Sequence, residues 1–254
     1  RISVIGCGPI VFGRWMGFGV LTLFFLPIKI KNLYKFILII LLILYCFFSG
    51  SRGPALSLLL TFLFYFFLNF RFMFIRFIVF MSLLISIFFV TNISNNLSEF
   101  GKADRVFVNF ASKGGSSQST QTRFELVDRS LDLMFKYPFG VGVGNWQIKA
   151  NEYNPNFLMP HKYPHNLLLE LINEHGIIAA CLFLLFIMYA FYFSYVNMKR
   201  YLNDKSSLYV LLFYMSIFLF LNVMLSGSLN DSRLLFVTLC CVLINSPLII
   251  KYEK

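Results

Sequence analysis

Apolar residues run on in this chain for longer than a soluble core requires. Continuous stretches at 36–48, 56–68, 75–90, 177–196, 208–225 and 234–250 lie at or near the length with which a helix crosses a bilayer. The 254 residues are 58% hydrophobic and 19% aromatic, with 33 Phe, against 13% charged, which excludes a water-soluble globular domain. The expected fold is an all-α, polytopic integral membrane bundle.

The 22 Lys and Arg against 11 Asp and Glu give a formal charge of +11, a balance that in a soluble domain would raise nucleic acid as a partner. Their positions give another answer. Lys29, Lys31 and Lys35, then Arg71 and Arg76, then Lys199, Arg200 and Lys205, then Lys251 and Lys254 fall in short polar breaks opposed only by Asp204 and Glu253. That is the basic signature of cytoplasmic loops, and no nucleic-acid partner is expected. Spans are expected at roughly 10–27, 34–49, 54–69, 75–91, 176–196, 207–225 and 234–250, about seven in all. Strict alternation then keeps every basic break inside. It divides the chain into four spans over 1–91, an extracytoplasmic loop over 92–164 and three spans over 165–254. The chain opens at Arg1 without Met and is expected to be the C-terminal portion of a longer protein. Cys7, Cys46, Cys181, Cys240 and Cys241 have neither metal-type spacing nor a disulfide framework and read as small buried hydrophobes.

Within the loop, the Gly/Ser/Gln tract at 112–121 has nothing to bury and is expected to be mobile. Thr122 and Glu125 then form a capping-box pattern, and Phe124, Val127, Leu131, Met134 and Phe135 repeat at helical spacing. An amphipathic helix over about 123–136 is expected, ending before Pro138. Gly140, Gly142 and Gly144 follow without the βαβ surroundings or the Lys-Ser/Thr of a phosphate loop, so they read as a tight backbone turn.

His165 follows Tyr163-Pro164 where the loop ends and a long apolar helix is expected to begin. The positive end of the helix dipole favours neutral imidazole and a neighbouring anion, as a general base beside a phosphorylated donor needs. The same position also suits a histidine that caps polar groups at an interface. On a straight helix Glu170 and Glu174 point about 140° and 180° away from His165, so they face a cavity, an arginine or solvent. Arg52, in Ser49-Gly-Ser-Arg-Gly-Pro54, has small neighbours that leave its fork open to phosphate. Arg233 is similar but has Asp231 close by, and Arg14 is a weaker version. Arg129 has Glu125 and Asp132 at ion-pair spacing. Arg123 is disfavoured in a first turn by the dipole, which points to a ligand or partner outside the helix. No metal-binding pattern is present, so a metal-free site of Arg and His is expected.

These residues resemble the O-antigen ligase and O-antigen polymerase superfamily of bacterial membrane glycosyltransferases. The resemblance rests on Ser49-Gly-Ser-Arg-Gly53 opening a span, on Arg123 and Tyr137-Pro-Phe-Gly-Val-Gly-Val-Gly-Asn145 in the loop, and on His165-Asn166 with Gly176 beyond; Ala179 stands where the family pattern has a second glycine. It implies a GT-C-like bundle in the bacterial cytoplasmic membrane with its active site on the periplasmic or extracellular side. It also implies transfer of a glycan from undecaprenyl diphosphate to a glycan or lipid-core acceptor, without cofactor, metal or nucleotide sugar. His165 would activate the acceptor hydroxyl while Arg52 and Arg123 bind the diphosphate, with Arg129, Arg233, Glu170 and Asn166 as further substrate contacts. Membrane lipid and polysaccharide-assembly proteins are the other partners it implies. Polymerase is preferred slightly to ligase for want of an acceptor signature. A transporter or lipid-linked oligosaccharide flippase is the competing reading, disfavoured because the spans carry few acidic groups.

Overall fold

The computed structural model describes residues 8–69, 118–153, 163–200 and 208–244, and among them all regular structure is helical. The helices are α1 (Pro9–Phe25), α2 (Asn32–Phe48), α3 (Arg52–Asn69), α4 (Gln118–Lys136), α5 (Trp146–Tyr153), α6 (Leu167–His175), α7 (Ile177–Arg200), α8 (Leu208–Ser226) and α9 (Arg233–Ile244), with a 3₁₀ turn at Asn230–Ser232. Of these, α7 with 24 residues and α8 with 19 are long and apolar enough to cross a membrane, while α1, α2 and α3 are shorter apolar helices. The span expected at 75–91 lies outside the described residues.

Two compact units divide the chain, one of residues 1–58 and 126–254, the other of residues 59–125. In the described part of the second unit lie most of α3 and the beginning of α4. Helix α8 is central to the first unit: it packs against α1, α7 and α9, and α1 also packs on α2. Phe213, Tyr214 and Phe218 are buried there, and Tyr214 stacks on Phe25 of α1 at 4.9 Å between ring centroids. Gly17 makes this fit possible, since a Cβ at that position would overlap the Phe218 ring. Helix α7 buries Ala180, Ile187, Ala190, Ser194 and Asn197, a seam of helical period with small members that allow close approach. Of the cysteines, Cys46 is buried, but Cys181 and Cys240 are exposed, so the expectation of buried cysteines fails there.

The helix expected from residue 123 begins at Gln118, so four residues of the tract expected to be mobile are helical. Gln is a good helix former, and Thr122 is an interior residue, not a cap. Arg123 therefore stands beyond the first turn, where the dipole has faded, and its position carries no electrostatic anomaly. The apolar face also differs from the expected one. Leu126, Ser130 and Leu133 are buried, and Leu126 and Leu133 pack with Trp146 and Ala150 of α5 and with Tyr137, whereas Leu131 and Phe135 are exposed. Helical spacing identifies a stripe but not the medium that covers it.

No continuous helix starts at His165. Gly176, at φ 89°, separates α6 from α7, and the turn after α4 closes both exposed ends. Val141 N–H donates to Asn173 O at 2.7 Å, Gly142 N–H to Glu174 O at 3.0 Å, and Ile177 N–H to Pro138 O at 2.9 Å. These are the carbonyl and amide groups that a helix end cannot pair internally. The approach is so close that a Cβ on Gly140 would lie 2.7 Å from Glu174 O, and one on Gly176 would lie 2.7 Å from the Phe139 carbonyl. Gly144 also has positive φ, at 74°, but open space around it. Gly140→Ala should therefore cost clearly more than Gly144→Ala, which meets only the backbone penalty of about 1–2 kcal/mol. Thermal unfolding of the detergent-purified variants checks this: equal losses would mean that the interlock does not govern stability.

Candidate functional site

Polar groups gather around the C-terminal end of α8. The last carbonyls of a helix lack internal partners and carry partial negative charge. One of them, Ser226 O, accepts a hydrogen bond from Arg14 Nη2 at 3.3 Å. Arg14 also lies within electrostatic reach of Asp231 and Tyr163, and its Nε is buried without a hydrogen-bond partner. A fork held in this way keeps donor capacity for a further acceptor. Gly53 reaches the same place, since a Cβ there would stand 2.9 Å from Ser226 Oγ. Arg52, the first residue of α3, is thus carried to the end of α8 by its neighbour. The break around Ser49 is seated in turn on α1, where a Cβ at Gly13 would meet Ser49 Oγ and Pro54 at 3.1 Å.

Helix α6 is fastened to the same end by two side chains. Asn166 is its N-cap: Oδ1 accepts from Leu168 N–H at 3.0 Å and Leu169 N–H at 3.1 Å, while Nδ2 donates to Met224 O at 3.0 Å. Asn is among the best residues for this position. Glu170 Oε2 accepts from Leu229 N–H at 2.8 Å, across to the connection after α8. Glu170 is thus half-buried against the connection after α8, and Glu174 is buried. Burial pushes the Glu170 carboxyl up to about 7; the Leu229 hydrogen bond opposes this, and the charges of Glu174 and Asp231 add to it.

His165 stands just before the cap, outside the helix, so the angular relation expected between it and Glu170 does not apply. Among the described residues it is the non-glycine with positive φ, 56°. Its ring lies 4.0 Å from that of Tyr163, and its Nδ1 is shielded from solvent. A left-handed residue that is not glycine costs on the order of 1–3 kcal/mol and persists only when its surroundings hold it. Arg233, expected beside Asp231, bonds instead through Nη2 to Asn230 Oδ1 and is exposed. Arg129 lies on α4 in the first unit, while Arg123 belongs to the second. Among the described residues no cluster of His, Cys, Asp and Glu is placed to hold a metal ion.

Arg14, Arg52, His165, Asn166 and Glu170 are therefore all placed at one end of the bundle. Arg14, the weaker candidate in the sequence, stands within this group. Its available signals were Gly13 beside it and Ser226-Gly227 at the end of a span, small residues that let chain segments approach.

Because the folded Glu170 carboxyl binds its proton more tightly than an unfolded one, its contribution to stability is fully present below about pH 4.5 and is lost as pH rises through about 7. Glu170→Gln retains an acceptor for Leu229 without this titration. Unfolding temperature measured from pH 4.5 to 8 should fall less with pH in that variant than in the parent. An unchanged slope would place the pH dependence elsewhere.

No curated protein and no solved structure matches the chain. A family model described as O-antigen ligase matches residues 37–184, more than half of the chain. The match runs from α2 through the Pro138–Gly144 turn and His165 into α7. The chain belongs to the O-antigen ligase family, membrane proteins of glycosyltransferase-like ligase or polymerase activity.

Proposed function

We propose that this protein transfers glycan from undecaprenyl diphosphate to an acceptor sugar during synthesis of a surface polysaccharide, with its site on the outer face of the bacterial cytoplasmic membrane. The carrying observation is the meeting of Arg14, the Arg52 turn and the His165–Asn166 entry to α6 around the end of α8. Basic breaks at the opposite ends of the helices support the outward orientation. Seven spans in all, with the loop over 92–164 outside, complete the proposed topology.

In the proposed reaction His165 accepts the proton of the acceptor hydroxyl as that oxygen attacks the anomeric carbon of the donor. The bond from this carbon to the diphosphate oxygen breaks, and the departing diphosphate takes the electron pair. Arg52 and Arg14, with Arg129 from the loop, stabilise that charge. Such charge-assisted contacts to phosphate are bidentate and strong, so no metal is required by this scheme. Arg233, exposed beside Asn230, contacts substrate at the rim. Asn166 and Glu170 have polar atoms engaged in cap and cross-helix bonds, and their part is to hold His165 and the end of α8 in register. Chain extension is preferred to transfer onto a lipid core.

The test is complementation of cells lacking the gene with wild type or with His165→Asn, since Asn tolerates positive φ but cannot serve as the base. Loss of a general base typically costs on the order of 100-fold or more in rate. The variant should accumulate in the membrane normally yet leave single repeat units on the lipid carrier. Polymer stranded on the carrier would assign the ligase reaction instead. Normal surface glycan from the variant would remove His165 from the chemistry.

A further inference from the structure

Large apolar side chains left uncovered by the fold gather where the Pro138 turn meets α7. Phe139 is 82% exposed, and Phe135 just before the turn is 80% exposed. Yet the Phe139 backbone is firmly held, between the Ile177 N–H bond to Pro138 O and the close approach of Gly176. Phe139 is thus fixed beside the first residues of the 24-residue apolar helix α7. From this level the uncovered face of α7 begins, with Ile178 66% and Leu182 63% exposed, and it continues through Leu185, Met188 and Tyr192. An open groove of about 270 Å³ lies between turn and helix, walled by Phe139, Pro138, Ile178 and Leu182, with His175 as its titratable member.

A soluble partner does not suit a groove whose one wall is the outward face of a membrane-crossing helix. That face is apolar and exposed along a helix long enough to cross a membrane, and the groove is its continuation at the end. We infer that the 138–144 turn dips into the bilayer, with Phe139 seated among the acyl chains of the adjoining leaflet and a phospholipid chain lying in the groove. The occupant is bulk lipid held by apolar contact, so the inference needs neither donor nor acceptor and stands apart from the proposed reaction. Its structural consequence follows from the bonds already described. The turn that enters the lipid also caps the end of α6, so the depth of the membrane surface is passed to the helix that carries Asn166 and adjoins His165.

Tryptophan placed at the groove reports its medium. Phe139→Trp and, on the opposite wall, Ile178→Trp are reconstituted in phosphatidylcholine nanodiscs with plain or 6,7-brominated acyl chains, with Met188→Trp, on the exposed face of α7 beyond the groove, as reference. Emission of the parent, from Trp15 and Trp146, is subtracted. The added emission from both groove positions should be quenched by brominated lipid at least half as strongly as at Met188, and should resist aqueous iodide. Quenching by iodide but not by brominated lipid would put the turn in water. Protection from both quenchers would mean that protein, such as a second copy of the chain, covers the groove; either result overturns the inference.

Discussion

A helix that stops leaves amide and carbonyl groups that its own turns cannot pair, and the structure at Gly176 is organised around that constraint. Two helices end there within two residues, and the Pro138–Gly142 segment supplies the missing partners through Val141, Gly142 and Pro138. Each bond contributes only about 1 kcal/mol net, but an unpaired buried group costs about 1–3 kcal/mol. That asymmetry outweighs the cost of about 0.5–1 kcal/mol for ordering each glycine. Gly140 and Gly176 are needed because backbone must touch backbone, and no side chain fits in the gap.

The end of α8 is managed by the same physics with side chains. Arg14 offers a cation to a carbonyl at the negative end of a helix, Asn166 gives its amide to Met224 O, and Glu170 receives the Leu229 N–H of the connection. Arg14 comes from α1, Asn166 and Glu170 from α6 about 150 residues later, so fixing the end of α8 also assembles the polar cluster. The cluster is thus a consequence of how the helix ends are satisfied. His165 inherits its place from Asn166 and is held in a backbone conformation that it would not choose alone.

Long apolar runs made the helices legible, and α1, α2, α3, α7 and α8 occur where such runs occur. His165-Asn166 also marked a helix entry, because capping chemistry is local. The break at Gly176 was not legible, since what permits it is a turn more than thirty residues earlier. Leu131 and Phe135 belong to the apolar stripe read from the sequence yet are exposed, because periodicity counts apolar positions without saying which of them the fold covers. For Glu174 a helical wheel leaves a cavity, an arginine or solvent equally open; its burial depends on the same distant turn. Arg14 was visible as a cation in an apolar helix, yet its partner Ser226 is 212 positions away.

In the proposed reaction the cations at this end of the bundle receive a lipid-linked diphosphate. Native mass spectrometry of the purified protein with a short-chain polyprenyl diphosphate tests it directly, comparing the parent with Arg14→Gln, Arg52→Gln and, at the opposite end of α7, Arg200→Gln. The parent and Arg200→Gln should retain the lipid, and each of the other two should lose about tenfold or more in affinity, equivalent to about 1.4 kcal/mol. Equal retention by all four proteins would contradict this role of the cations.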